Sequence, residues 1–311
     1  MLKQVIEVYE LLDDARVNGG TVADFLREKG LENVAVREMK GEKGKTDFVK
    51  VVVPGMSGKR SGGNSPTLGI IGRLGGIGAR PERIGLVSDA DGAITALACA
   101  CKLAEMILKG DRLAGDVIVA THICPDAPTQ PHAPVPFMGS PVDMQAMNTY
   151  EVDPEMDAIL SIDTTKGNRI VNHRGFAVSP TVKEGWILRV SEDVLDIVEW
   201  STGNSPVILP ITMQDITPYG NDLFHINSIL QPCTATEAPV IGVAITAVRP
   251  VPGCGTGASR ETDIEETARF CIEVAKSFTA GTCRFYSEQE FGRLKQLYGP
   301  MNQLQTEGRS S

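Results

Sequence analysis

Residues 84–106 read IGLVSDADGAITALACACKLAEM. The apolar run Ile84–Ser88 has the length and composition of a buried strand and stops at Asp89. Asp91 and Gly92 follow, and the spacing then predicts a helix of small and apolar residues over 93–109. A buried strand that passes into a helix is the repeating unit of parallel α/β sheets. The stretch therefore sets the fold class, and it leaves two carboxylates at the turn to be explained.

Working outward, helices are expected over 1–15 and 21–29, strands at 48–55 and 67–72, and a Gly/Ser-rich loop at 57–66. Beyond the opening stretch, strands are expected at 116–123, 157–163, 207–213 and 240–248. Helices are expected at 191–203, 221–232 and 261–278. CPDAPTQPHAPVPF (124–137) has five prolines in fourteen residues, which excludes a helix or a central strand. Continuous apolar strands alternating with helices predict a mixed, mostly parallel sheet covered on both faces, a three-layer α/β/α arrangement. No internal repeat or linker divides residues 1–311, so one domain is expected, with a polar, mobile tail from Tyr298.

The net charge of −9 and the lack of a Lys/Arg cluster argue against a nucleic-acid face. No stretch reaches the roughly 18 continuous apolar residues of a membrane span. The first twenty residues read as an amphipathic helix rather than a signal peptide. Seven cysteines without a C-x-x-C pair read as the reduced thiols of a cytoplasmic protein.

Three expected strands end on or near an aspartate: Asp89, Asp163 and, after Cys124-Pro125, Asp126. The carboxyl ends of parallel strands share one edge, where ligands of open α/β folds bind. Three carboxylates converging there call for a cation between them, and Asp, Glu and His are the usual ligands of a divalent metal. His122 precedes Asp126, and His132 lies in the same proline-rich loop. Such a metal polarises a carbonyl or activates water, which is hydrolase chemistry. Against this stands the plain role of Asp as helix cap or turn residue, which fits Asp89 as well.

The order of elements over residues 15–280 resembles the di-zinc aminopeptidase superfamily, most closely its glutamyl-aminopeptidase and cellulase M branch. SDADG supplies Asp89 at the family's bridging aspartate, VIVATHICPDAP takes the place of its Glu-Glu strand, and AILSID offers Asp163 as a third ligand. PYGNDLFHINSI resembles a Gly-Thr-Asp helix start at Gly220 to Asp222. VIGVAITAVRP and the segment to Phe270 match the last strand, Arg249, and a helix start at Asp263 to Glu265. The departures are as definite. Arg73 and Gly75 stand at the His-x-Asp ligand pair, Pro125 and Asp126 at the Glu-Glu pair, and Pro252 near the last ligand histidine. About a dozen residues separate Ile77 from Asp89, so the inserted β-domain is missing.

Two accounts follow from the resemblance. In one, the chain is a metal-dependent hydrolase of a peptide-like or acylated amino-acid bond. Asp89, Asp126 and Asp163 then hold a divalent metal, zinc first among them. His122 or His132 completes the shell, and His122, Asp91 or Cys124 handles a proton. In the other, the chain is a non-catalytic relative that binds a small ligand or partner in the old cleft. Self-assembly into a homo-oligomer is left open. The Gly-rich stretch 72–85, with Arg73 and Arg80, reads first as a turn and second as an anion cradle. Cys254 has no base beside it in sequence, His225 is expected to be a half-buried helix residue, and His173 has no assigned place.

Overall fold

The computed structural model describes residues 1–73, 76–80, 84–131, 137–250 and 259–308. Gly75, His132, Pro252 and Cys254 lie outside the described residues.

Helices α1 (Leu2–Leu12) and α2 (Gly19–Glu28) precede an antiparallel hairpin of β1 (Val34–Gly41) and β2 (Gly44–Val53). Then come β3 (Leu68–Gly72), α3 (Asp91–Leu108) and β4 (Val117–Ile123). The short pair β5 (Thr129–Gln130) and β6 (Phe137–Met138) leads to α4 (Met144–Glu151). Next are β7 (Ala158–Thr164), β8 (Gly175–Val178), β9 (Val182–Lys183), β10 (Trp186–Ile187) and α5 (Glu192–Thr202). The chain closes with β11 (Val240–Thr246), α6 (Glu261–Thr279) and α7 (Glu288–Tyr298). A nine-stranded sheet runs β1-β2-β4-β3-β7-β11-β9-β10, with β8 also pairing β11. Its centre, β4, β3, β7 and β11, is parallel, and every residue of β3, β4 and β11 is buried. This is the mixed, mostly parallel α/β architecture expected from the uninterrupted apolar runs.

One face of the sheet is covered by α1, α3, α5 and α6 around a single apolar core. Ala, Leu and Cys fill α3 almost all the way round, which suits a helix buried on every side. The other face carries a smaller core under α4 and the irregular segment 203–239. No helix among the described residues is long and apolar enough to cross a membrane.

The strand-to-helix junction is tight. A Cβ at Gly92, in the first turn of α3, would lie 2.5 Å from the Arg73 carbonyl oxygen and 2.8 Å from that of Ile162. Alanine ordinarily favours a helix interior over glycine by about 1 kcal/mol. Here Gly92→Ala is expected to destabilise instead, by about 1–3 kcal/mol, because backbone atoms must shift. Chemical denaturation of the two proteins checks the sign.

Several expectations are corrected. Ile84–Ser88 is not a sheet strand: Gly85 sits at φ +98, and the Leu86 N–H donates to Asp13 Oδ1 at 2.6 Å. Strand β3 fills that role, and the 3-10 turn Ser88–Ala90 leads directly into α3. Residues 207–213 form no strand; two hydrogen bonds with Val178 hold Val207 and Leu209, and Pro210 then has no N–H to continue. Residues 221–232 are not helical. Asn221, Asn227 and Asp215 accept the N–H groups of Leu223, Ile229 and Ile226, so side chains take the bonds a helix would need, and Asp222 lies at φ +61. The tail is docked as far as Gln305, whose side-chain amide donates to the carbonyls of Cys233 and Thr236.

Candidate functional site

Strand register builds the central feature. Gly72 pairs with Thr121 of β4 on one side and Ile162 of β7 on the other. The next residue of each chain is therefore level with the others: His122, Arg73 and Asp163. Side chains alternate faces along a strand, so Arg73 shares the face of Ile71, His122 that of Ala120, and Asp163 that of Ile159. All three point toward the α4 side at the carboxyl edge of the sheet.

Helix α4 supplies their partners. Asp143 caps it by accepting the Ala146 N–H at 2.7 Å. Met144, Asn148 and Glu151, at i, i+4 and i+7, then fall on one face. Arg73 Nη1 donates to Glu151 Oε2 at 2.6 Å and to Asn148 Oδ1 at 3.1 Å, and Nη2 contacts Met144 Sδ. Glu151 Oε1 lies 2.6 Å from His122 Nδ1, and His122 Nε2 has no partner. Arg73 is 1% exposed, and His122 and Glu151 are fully buried. Burial drives the Glu151 carboxyl upward, but the charges of Arg73 and His122 and their hydrogen bonds outweigh it and hold it below the usual carboxylate range.

Asp163 is held differently. Its oxygens accept the Thr164 N–H at 2.7 Å and the Ser228 hydroxyl at 2.9 Å. Burial pushes it up to about 6, and those bonds and the Arg73 charge offset this only in part. A carboxyl raised in the folded chain binds more protons there than in the unfolded chain. Its contribution to stability is thus lost as pH rises from about 4 through about 6. Asp163→Asn is expected to stabilise the protein at pH 8 by about 1–3 kcal/mol, a gain that vanishes below about pH 4. Thermal unfolding at the two pH values measures it.

Asp91 opens α3 on the other face of the sheet. Lys166 Nζ donates to its Oδ2 and Ser259 Oγ to its Oδ1, each at 2.5 Å, and both members of the ion pair are buried. Burial raises this carboxyl against the pull of Lys166 and Ser259. With both oxygens engaged, Asp91 is a buried anchor that pins the segments after β7 and β11 to the start of α3.

Of the remaining expected residues, His132 lies outside the described residues. Asp89 lies half-buried in the 3-10 turn Ser88–Ala90, and Asp126 is exposed, its backbone bridged to Ala79. Among the described residues no three His, Cys, Asp or Glu side chains are grouped to hold a metal ion. His122 and Asp163 share the row, but Arg73 stands between them. Burial pushes the Cys124 thiol up to about 12, which leaves it protonated and unfit to move a proton near neutral pH. His173 bonds the Phe176 carbonyl at 2.9 Å, and His225 stacks on Tyr219 with ring centres 4.4 Å apart. A broad cleft of about 2190 Å³ opens at the opposite, amino edge beside α7, lined by Pro66, Asp157 and Pro239; of the residues around Arg73 only Asn148 reaches it.

Sequence reading missed Glu151, Asn148, Lys166, Ser228 and Tyr219. The signal for the first two was present: polar residues on the buried face of a short helix, opposite an arginine that directly follows an apolar strand. The others come from irregular segments whose course no periodicity announces.

The fold has a match among solved structures. Glutaminyl cyclase from an Acidobacteriales bacterium superposes with a TM-score of 0.50 over 90% of this chain and 94% of that one, at 10% sequence identity. That likeness concerns the fold, which is consistent with the zinc-exopeptidase type. No curated protein matches the chain. The family model described as protein of unknown function (DUF1177) matches residues 37–308, most of the chain, and the protein belongs to that family.

Proposed function

We propose that this protein binds a small ligand at the carboxyl edge of its sheet, and that the Arg73 guanidinium supplies the positive charge that a metal ion supplies in the family it resembles. The row His122–Arg73–Asp163 carries the reading. A divalent ion does not fit the described residues there. Neighbouring strands stand about 4.8 Å apart. At that distance a divalent ion is repelled by a guanidinium by roughly 7 kcal/mol for an effective dielectric of about 20. Arginine keeps its charge at any accessible pH and cannot step aside by losing a proton. Glu151, which would otherwise attract a cation, is already paired with it.

One observation favours the second reading, a metal-dependent hydrolase of a peptide-like bond. Glu151 orients His122 through Nδ1 and leaves Nε2 without a partner. A carboxylate behind an imidazole is how metal-ligating and general-base histidines are held. In that reading His122 works with Asp163, Asp89, Asp126 and His132. Equilibrium dialysis against zinc, manganese and cobalt separates the two. The ligand-binding reading expects no stoichiometric uptake. One bound equivalent, lost in Asp163→Ala or His122→Ala, supports the hydrolase and defeats our proposal.

A further inference from the structure

Far from the row, the sheet ends at β1, which pairs with β2 alone among the described strands. The Val52 N–H donates to the Asn33 carbonyl at 3.0 Å, just before the first paired residue of β1. Bonded and non-bonded pairs alternate along an antiparallel ladder, so Ala35, Arg37 and Met39 bond β2. Val36, Glu38 and Lys40 then turn their N–H and C=O groups outward. The Val34 carbonyl points the same way and is taken by Arg27 Nη2 at 3.1 Å. Among the described residues none outside the β1–β2 ladder bonds the backbone of Val36, Glu38 or Lys40. Residues 35–38 are all exposed. Edge strands are ordinarily kept from pairing by shortness, a bulge, proline, cover or charge. Strand β1 has eight residues in unbroken register with β2 and no proline, and its charges are of both signs.

Those charges select the occupant. Across the hairpin like faces like: Glu38 lies opposite Asp47, and Lys40 opposite Lys45. Lys45 Nζ holds Glu38 Oε2 at 2.6 Å, and Lys40 Nζ is 3.8 Å from Oε1, so two ammonium groups share one carboxylate. A second β1 laid antiparallel on this edge must join outward-facing residues to outward-facing residues about a two-fold axis. An axis at Arg37, Glu38 or Lys40 sets two like charges face to face. An axis at Val36 needs the Val34 carbonyl, which Arg27 already holds. An axis at Met39 sets the two Met39 side chains together and places Glu38 of each copy opposite Lys40 of the other, so that every copy of Lys40 gains a carboxylate of its own.

We propose that β1 binds a second copy of this chain, the two β1 strands pairing antiparallel about Met39 so that two sheets become one. The backbone N–H and C=O of Glu38 bond those of Lys40 in the other copy, and the two side chains form an ion pair on the α2 side of the sheet. The paired stretch is short, so the dimer is of the weak, reversible kind, with a dissociation constant of about 1–100 µM. This inference is independent of the reading of the Arg73 row.

Sedimentation velocity of the full chain over about 1–300 µM tests it. The unsubstituted protein is expected to pass from monomer to dimer in that range, and hydrogen exchange of the Glu38 and Lys40 amides to slow as it does. Glu38→Lys and Lys40→Glu each set like charges opposite one another in the homodimer, and each is expected to weaken association about tenfold or more. Both positions are exposed, and thermal unfolding verifies that both variants fold. An equimolar mixture of the two is expected to dimerise again, because each substituted residue then meets an opposite charge. A monomer at every concentration, a dimer that neither substitution weakens, or a mixture that associates no better than its components overturns the inference.

Discussion

Arg73→Met is expected to cost about 3–5 kcal/mol of stability, the range found when one partner of a buried ion pair is removed. Methionine fills much of the volume of the arginine stem, so little of the loss comes from a cavity. It comes from Glu151, fully buried and left with His122 and no guanidinium. The pH dependence follows from the direction of the Glu151 shift. Its carboxyl is depressed in the folded protein, so its favourable contribution is present above the unfolded carboxylate range and is lost as pH falls through the folded value. The cost of Arg73→Met is therefore full at pH 7–8 and shrinks as the solution is acidified. Arg73→Lys is expected to recover only part of it, because an ammonium cannot reproduce the planar fork that meets Glu151 and Asn148 together. A double-mutant cycle with Glu151→Gln isolates the pair, and a coupling energy below about 0.5 kcal/mol would sink the idea that Arg73 is the resident cation of this row.

Asp91→Ala has the second large effect, again about 3–5 kcal/mol. The desolvation that raises the Asp91 carboxyl means the ion pair adds little net stability, yet removing one member strands the buried Lys166. The double variant Asp91→Ala with Lys166→Met is expected to be more stable than Asp91→Ala alone, which urea denaturation of the three proteins measures. A proton-handling role predicts the contrary pattern, a folded and stable Asp91→Ala that has lost its chemistry.

Much of the sheet was legible in the sequence because its central strands are continuous apolar runs. LGIIG, VIVATHI, AILSIDT and VIGVAIT have no competing amphipathic helical pattern, and each is a strand. The helix after Asp91 was legible for the same reason. Ile84–Ser88 misled because five apolar-rich residues look like a buried strand, while one glycine at positive φ sends them along the surface of the core. Residues 221–232 misled because apolar residues recur at helical spacing there, while Asn and Asp side chains compete for the backbone N–H groups. For the site, Asp163 and His122 were legible as polar residues ending apolar strands. Their relation was not, because the register that sets Arg73 between them is a property of three strands far apart in sequence. Arg73 was legible only as the loss of a histidine that the resembled family has at that position. What the sequence alone could not supply was Glu151, which turns that loss into an ion pair.

We propose that Asp163 is a buried carboxylate beside a fixed guanidinium and not a metal ligand. Carbon-13 NMR of the aspartate carboxyls, with Asp163→Asn used to assign the resonance, tests it by titration with and without one equivalent of zinc. A midpoint near 6 that zinc leaves unchanged is expected. A midpoint that falls below about 4 when zinc is added, as a metal-bound carboxylate requires, would contradict it.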